Sequence, residues 1–206
     1  MQVVFQKDIV YEGGIRTHPW IDSVHNTDWK YYDFKQHPEL VSEVLEDFKD
    51  WEQYQSTQTF YELVRWLNSK ESALESDDCA FRGPEPNTSA GVAKALRCDG
   101  RLMVFYRTLR RNTDKHTIEQ LRNGIGHFLN EIDPGFQWGG VGLALTETSY
   151  LDLPGSQKDQ AGHLVVIHFW AWGDDEKEAM DNLDRVFRNL FEALRIMSEH
   201  IWKAGG

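Results

Sequence analysis

Hydrophobic positions change period several times along the chain, and each change predicts an element. The strongest pattern is the last. From Asp174 or Asp175 to about Lys203, Met180, Leu183, Val186, Phe187, Leu190, Phe191, Leu194, Met197 and Ile201 recur at helical spacing, which predicts one long amphipathic helix. Asp174, Asp175 and Glu176 sit where the positive end of its dipole would be. A second helix is indicated by Ile118, Leu121, Ile125, Phe128, Leu129 and Ile132, with Asp133-Pro134-Gly135 as its stop. Two further helical stripes lie upstream: Leu40 to Trp51, opened by Pro38, and Phe60 to Leu67, capped by Ser56 or Thr57. Together they read as a helical hairpin.

Strand patterns fill the intervals. In GVAKALRCDGRLMVFYRTL, Val92 to Cys98 and Leu102 to Leu109 flank Asp99-Gly100, a dipeptide suited to a tight hairpin turn. Trp138 to Thr146 and His163 to Trp172 give two more strands. The second is apolar almost throughout and is expected inside the sheet, covered on both faces. Before residue 38 a first strand is expected at Val3 to Phe5 or Ile9 to Tyr11, followed by an irregular Gly-, His- and Trp-containing stretch. Residues 68 to 91 lack periodicity and are rich in Ser, Asp, Gly and Pro, which predicts a long loop.

The order from residue 92 is strand, strand, helix, strand, strand, helix. The expected fold is therefore α+β: a four-stranded, mainly antiparallel sheet of ββαββα order covered by helices, with the N-terminal helical hairpin packed on it. One domain spans 1–206, divided into the N-terminal segment 1–70, the long loop 71–91 and the body 92–206. The last helix, about 42 Å long at 1.5 Å per residue, overhangs such a sheet. The overhang predicts a covering surface, either the helical hairpin or a second subunit, and a homodimer is expected.

Charge and composition narrow the function classes. The 206 residues carry 33 acids against 22 bases, a formal net charge of −11, which disfavours nucleic acid as a partner. The longest apolar run, Leu164 to Trp172, is interrupted by His168 and falls far short of the roughly 20 residues that cross a bilayer. No membrane partner is expected. MQVVFQKDIVYEGG does not read as an export signal, so a cytoplasmic, reduced protein is expected, with Cys79 and Cys98 as thiols. In that compartment the Asn87-Thr88-Ser89 glycosylation pattern is a chance match. No spacing of His, Cys and carboxylates suggests a metal site. Gly139-Gly140-Val141-Gly142 precedes a strand rather than a helix, so it is no phosphate cradle and reads as a bulge or bend. No cofactor is specified.

Two segments remain as candidate chemistry. On the strand His163 to Trp172, alternation places His168, Trp170 and Trp172 on one face and His163 on the other. With Trp138 from the neighbouring strand they form an aromatic wall carrying one polar group, a common lining of small-molecule pockets. The competing reading is rings cross-packed beneath the long helix. The loop DDCAFRGP supplies Cys79, Phe81 and Arg82. Arg82 favours a Cys79 thiolate while Asp77 and Asp78 oppose it; the competing reading makes Cys79 a small buried anchor. These residues give the expected ligand-binding set: Cys79, Phe81, Arg82, Trp138, His168, Trp170 and Trp172, closing on a small anionic or aromatic ligand. Two alternatives stand beside this binding reading. One is an enzyme using His168 as base or Cys79 as nucleophile; the other is an interaction module whose acidic helical faces, 38–51 and 175–203, bind a basic partner.

Overall fold

The N-terminal chain forms one edge of the sheet, alongside the strand Gly139–Tyr150. In the computed structural model, which describes residues 1–11, 15–19, 32–151 and 159–205, strand β1 (Gln2–Phe5) pairs in parallel with Gly140 to Leu143. A bridge joins Ile9 to Thr146, and β2 (Arg16–His18) pairs in parallel with Thr148 to Tyr150. The irregular stretch expected before residue 38 lies largely outside the described residues, as does most of the Pro-Gly connection at 151–162.

The expected N-terminal helical hairpin is replaced by one regular helix and a set of short turns. A 3-10 turn at Pro38–Leu40, the single helical turn α1 (Val41–Val44) and a second 3-10 turn at Glu46–Trp51 precede α2 (Gln55–Asn68). The helical pattern breaks at Leu45, whose ψ is 71°. Tertiary contacts supply the reason. Beyond Leu45, Phe48 stacks between Phe60 and Phe81 at centroid distances of 4.4 and 4.6 Å, and Asp47 accepts the Phe81 N–H at 3.3 Å. The segment thus covers the edge of the next strand. Glu39, Glu43, Glu46, Asp47 and Asp50 are exposed, as expected, but on these short turns rather than on one helix.

That next strand overturns the long-loop expectation. Residues Leu74–Pro86 are β3, antiparallel to β4 (Leu96–Tyr106), with register shifts between Ser76 and Cys79 and between Arg82 and Glu85. The shifts displace the apolar alternation, so Leu74, Cys79 and Phe81 do not read as one face. Edge position tolerates Pro84 and Pro86. The acidic residues find partners: Glu75, 3% exposed, meets Lys35 and Arg107 at 3.1 and 3.3 Å. Asp77 meets His18 at 2.8 Å, and Asp78 takes two hydrogen bonds from Arg101. The hairpin turn lies at 87–95, not at Asp99-Gly100. Asn87 organises it, donating to the Val92 and Lys94 carbonyls and accepting from Ser89 N–H.

Helix α3 (Lys115–Ile132), β5 (Gly139–Tyr150), β6 (Gln160–Gly173) and α4 (Glu176–Lys203) complete the fold. Asp114 and Asp175 cap the two helices through their carboxylates. The sheet is six-stranded and mixed, ordered β1-β5-β6-β4-β3, with β2 on the same side of β5 as β1. It is not the four-stranded, mainly antiparallel sheet expected, because the N-terminal strands add parallel pairings and β3 occupies the place of the loop.

Strand alternation divides the interior in two. One face of the sheet, through Leu102, Val104, Leu143, Leu145, Val165, Ile167 and Phe169, packs with the stripes of α2, α3 and α4. The other carries a smaller apolar cluster, Met103, Phe105, Ala144, Tyr150, Leu164 and Val166, met by Ile9, Tyr11 and Leu109. Helix α4 is covered within the chain by α2, α3 and the sheet, down to Ile201 and to Ser198, which accepts Ala73 N–H at 2.8 Å. Its length therefore gives no argument for a second subunit.

Candidate functional site

The sheet face turned away from the helices carries the chemistry. Odd positions of β4 and even positions of β5 and β6 project there. Register sets Arg97 beside Trp172, Asp99 beside Trp170 and Arg101 beside His168, with Gly140 and Gly142 completing the Trp170 and His168 rows from β5. The glycines are needed for close approach, not for a bend. A Cβ on Gly140 would stand 2.9 Å from the Trp170 ring, and one on Gly142 would stand 2.5 Å from the Gln6 amide. The expected bulge at 139–142 is thus an unbroken strand that makes room for its neighbours.

His168 is half-buried, and its Nδ1 lies 2.8 Å from Gln6 Oε1. Burial, reinforced by the Arg101 guanidinium, holds its pKa below the ordinary 6.5, so the ring is neutral at pH 7. Arg101 is fixed by two hydrogen bonds to Asp78 Oδ2, at 2.9 and 2.8 Å. Arg97 donates to Ser89 Oγ at 3.1 Å; its Nε lies 3.4 Å from Asp99 Oδ1 without hydrogen-bond geometry. Trp170 and Trp172 meet edge to face with centroids 6.2 Å apart. They are 9% and 5% exposed, belong to neither apolar cluster, and each buries an indole N–H that has no partner among the described residues.

Of the expected set, the structure brings His168, Trp170 and Trp172 onto one face. Trp138 adjoins them, since its carbonyl accepts Trp172 N–H at 2.9 Å. Its ring is 40% exposed and lies under the Lys94 ammonium at 4.7 Å; that ammonium also binds Asp174 and Glu178. Arg82 is registered with Asp99 on the edge strand, two strands from Trp170 and about 10 Å away at normal strand spacing. Its nearest charge is Glu85 at 3.8 Å.

Cys79 and Phe81 are not part of this face. Phe81 stacks on Phe48 within the helix-side core, and Cys79 packs against the same core. Burial, then the Asp78 and Asp77 carboxylates, push the Cys79 thiol well above its ordinary value. The sheet separates it from His168, so the two do not form a nucleophile and base pair. Segment 71–91 does not close over the indoles as expected: Leu74–Pro86 within it is a strand of the same sheet.

Arg97, Arg101 and Gln6 are the site residues that sequence reasoning missed. Arg97, Asp99 and Arg101 alternate with Cys98 and Leu102, which would have placed them on one face had Asp99-Gly100 been read as strand. Gln6 had no local signal, because its role arises from a parallel pairing with a strand 138 residues later. Among the described residues no group of His, Cys, Asp and Glu could hold a metal ion, and no helix is long and apolar enough to cross a membrane. No family model, no curated protein and no solved structure matches the chain.

Proposed function

We propose that this is a cytoplasmic small-molecule-binding protein whose ligand, a small planar anion, docks on the helix-free sheet face. The observation that carries the reading is the pair of buried, partnerless indole N–H groups of Trp170 and Trp172, set beside Arg97 and in the same strand as His168. A buried donor left unpaired costs about 1–3 kcal/mol. An acceptor-rich ligand removes that cost, and a guanidinium at the rim supplies charge complementarity. Flat rings on the ligand and protein add contact area.

The test uses the indole N–H resonances of the eight tryptophans, assigned with Trp170→Phe and Trp172→Phe. Benzoate should move those two resonances downfield in a saturable manner, acetate should act more weakly, and neutral benzyl alcohol more weakly still. Arg97→Gln should weaken benzoate binding without changing the fold. Saturable shifts confined to other indoles, or equal response to benzoate and benzyl alcohol, would falsify the reading.

The Gln6 contact supports a second reading, in which the same face performs proton transfer. If His168 Nδ1–H donates to Gln6 Oε1, Nε2 keeps its lone pair, and the lowered pKa keeps that lone pair available at neutral pH. Acylation by diethyl pyrocarbonate, mapped by mass spectrometry, should then modify His168 readily in the folded chain. Modification only after unfolding removes this reading and leaves ligand binding intact.

A further inference from the structure

A concave site lies at the opposite end of β6 from the indoles. Between the N-terminal chain, β5, β6 and the start of α3 is a cavity of about 160 Å³, lined by Ile9, Tyr11, Leu145 and His163 and by the charged Asp8, Lys115 and Glu147. His163 lies seven positions from Trp170 along β6, roughly 23 Å at strand rise. The two sites are therefore separate.

Three observations bear on what the cavity takes. Its volume is comparable to an apolar cavity of about 150 Å³ that admits one benzene ring. Two side chains at its margin, Val10 and Ile15, are 90% and 59% exposed, so apolar surface is left in water where an occupant would cover it. And the His163 Nδ1 is buried with no hydrogen-bond partner among the described residues. The nearby Lys115 ammonium is already matched by Asp8 at 2.6 Å, so it is not free to hold an anion. Glu147, registered with His163, adds a negative one.

We infer that this cavity binds a small neutral ring bearing one hydroxyl, a monocyclic phenol or its like. The ring fills the apolar volume and covers Val10 and Ile15. The hydroxyl meets His163 Nδ1, and because it both donates and accepts it suits either tautomer of the neutral imidazole.

The experiment is a titration of the full chain with phenol, benzene and benzoate, followed through backbone amide resonances. Phenol should shift the amides of Ile9, Tyr11, Leu145 and His163, and should bind about tenfold more tightly than benzene, a 1.4 kcal/mol difference. Benzoate should leave these amides unmoved, whatever it does at the indoles. His163→Phe should reduce phenol to the affinity of benzene. Ile15→Trp, at an exposed position, should block both ligands in a chain that remains folded, which keeps the proposal testable if the His163 variant does not fold. Phenol shifts located elsewhere, equal binding of phenol and benzene to the unmodified chain, or benzoate binding here as tightly as phenol each overturn it.

Discussion

Gly100→Ala is the substitution that best separates the strand from the turn that its sequence suggests. Gly100 lies inside β4, paired with Phe81 on one side and Phe169 on the other. An added Cβ would stand 2.3 Å from the Ala80 carbonyl oxygen and 2.5 Å from Cζ of Phe169. Overpacking of this kind costs about 1–3 kcal/mol. One of the two obstacles is backbone held in a sheet and cannot rotate away, so the upper end, about 3 kcal/mol, is expected. Phe169→Leu, shortening a ring packed against Phe60 and Phe187 at 5.8 and 4.8 Å, should cost about 1–2 kcal/mol, less than the 3–5 of a phenylalanine-to-alanine change.

The double variant is the decisive member of the cycle. Leucine removes the Cζ contact but leaves the Ala80 oxygen, so the pair should be less destabilised than the sum by about 1 kcal/mol, within the range seen for residues in contact. Urea unfolding of the four proteins, read as midpoint shifts at constant slope, measures this directly. A domain with a stability of about 5–15 kcal/mol survives the losses. If Gly100 served a tight turn, its alanine would cost backbone strain whatever stood at 169. Additivity within about 0.3–0.5 kcal/mol would then be found, and the packing argument would be refuted.

Further outcomes follow from other parts of the molecule. Asn112 is fully buried and holds both the N–H and the carbonyl of Tyr106 at 2.8 Å. Asn112→Ala should therefore cost about 2–4 kcal/mol through two orphaned backbone groups; calorimetry showing less than about 1 kcal/mol would contradict it. The His168 resonances should titrate below 6.5, and Arg101→Gln should move the midpoint upward by removing a repelling charge. Because the folded pKa is lowered, the unfolded chain binds more protons between that pKa and 6.5. The His168 contribution to stability is thus present above 6.5 and lost as pH falls through the folded value. A midpoint at or above 6.5 in the unmodified chain would count against the burial described. Burial raises both thiols, that of Cys98 to about 12, so neither should react with iodoacetamide at pH 7 until denaturant is added. Rapid labelling of Cys79 in the folded protein would reopen the nucleophile.

What the sequence determined by itself was whatever depends on residues close together in the chain. The stripes of α2, α3 and α4, and the alternation that puts His168, Trp170 and Trp172 on one face, are periodicities of one element. They held because a helix or strand must bury one side whatever it meets. Only the tertiary structure decided the rest. Residues 38–51 have a helical pattern, yet break at Leu45 so that Phe48 and Asp47 can serve the edge of β3. Residues 74–86 have loop composition, yet form a strand, because Lys35, Arg101 and Arg107 neutralise Glu75 and Asp78 and the His18 ring lies 2.8 Å from Asp77. Asp99-Gly100 resembles a turn, yet stays extended, because Phe169 occupies the space a side chain would fill. The site divides in the same way: its tryptophans and histidine were visible as a pattern, whereas Gln6, Arg97 and Arg101 join them only through pairings between distant strands. Local propensities amount to tenths of a kcal/mol per residue, while a buried charge without its partner costs several. Where the two disagree, the long-range contact wins.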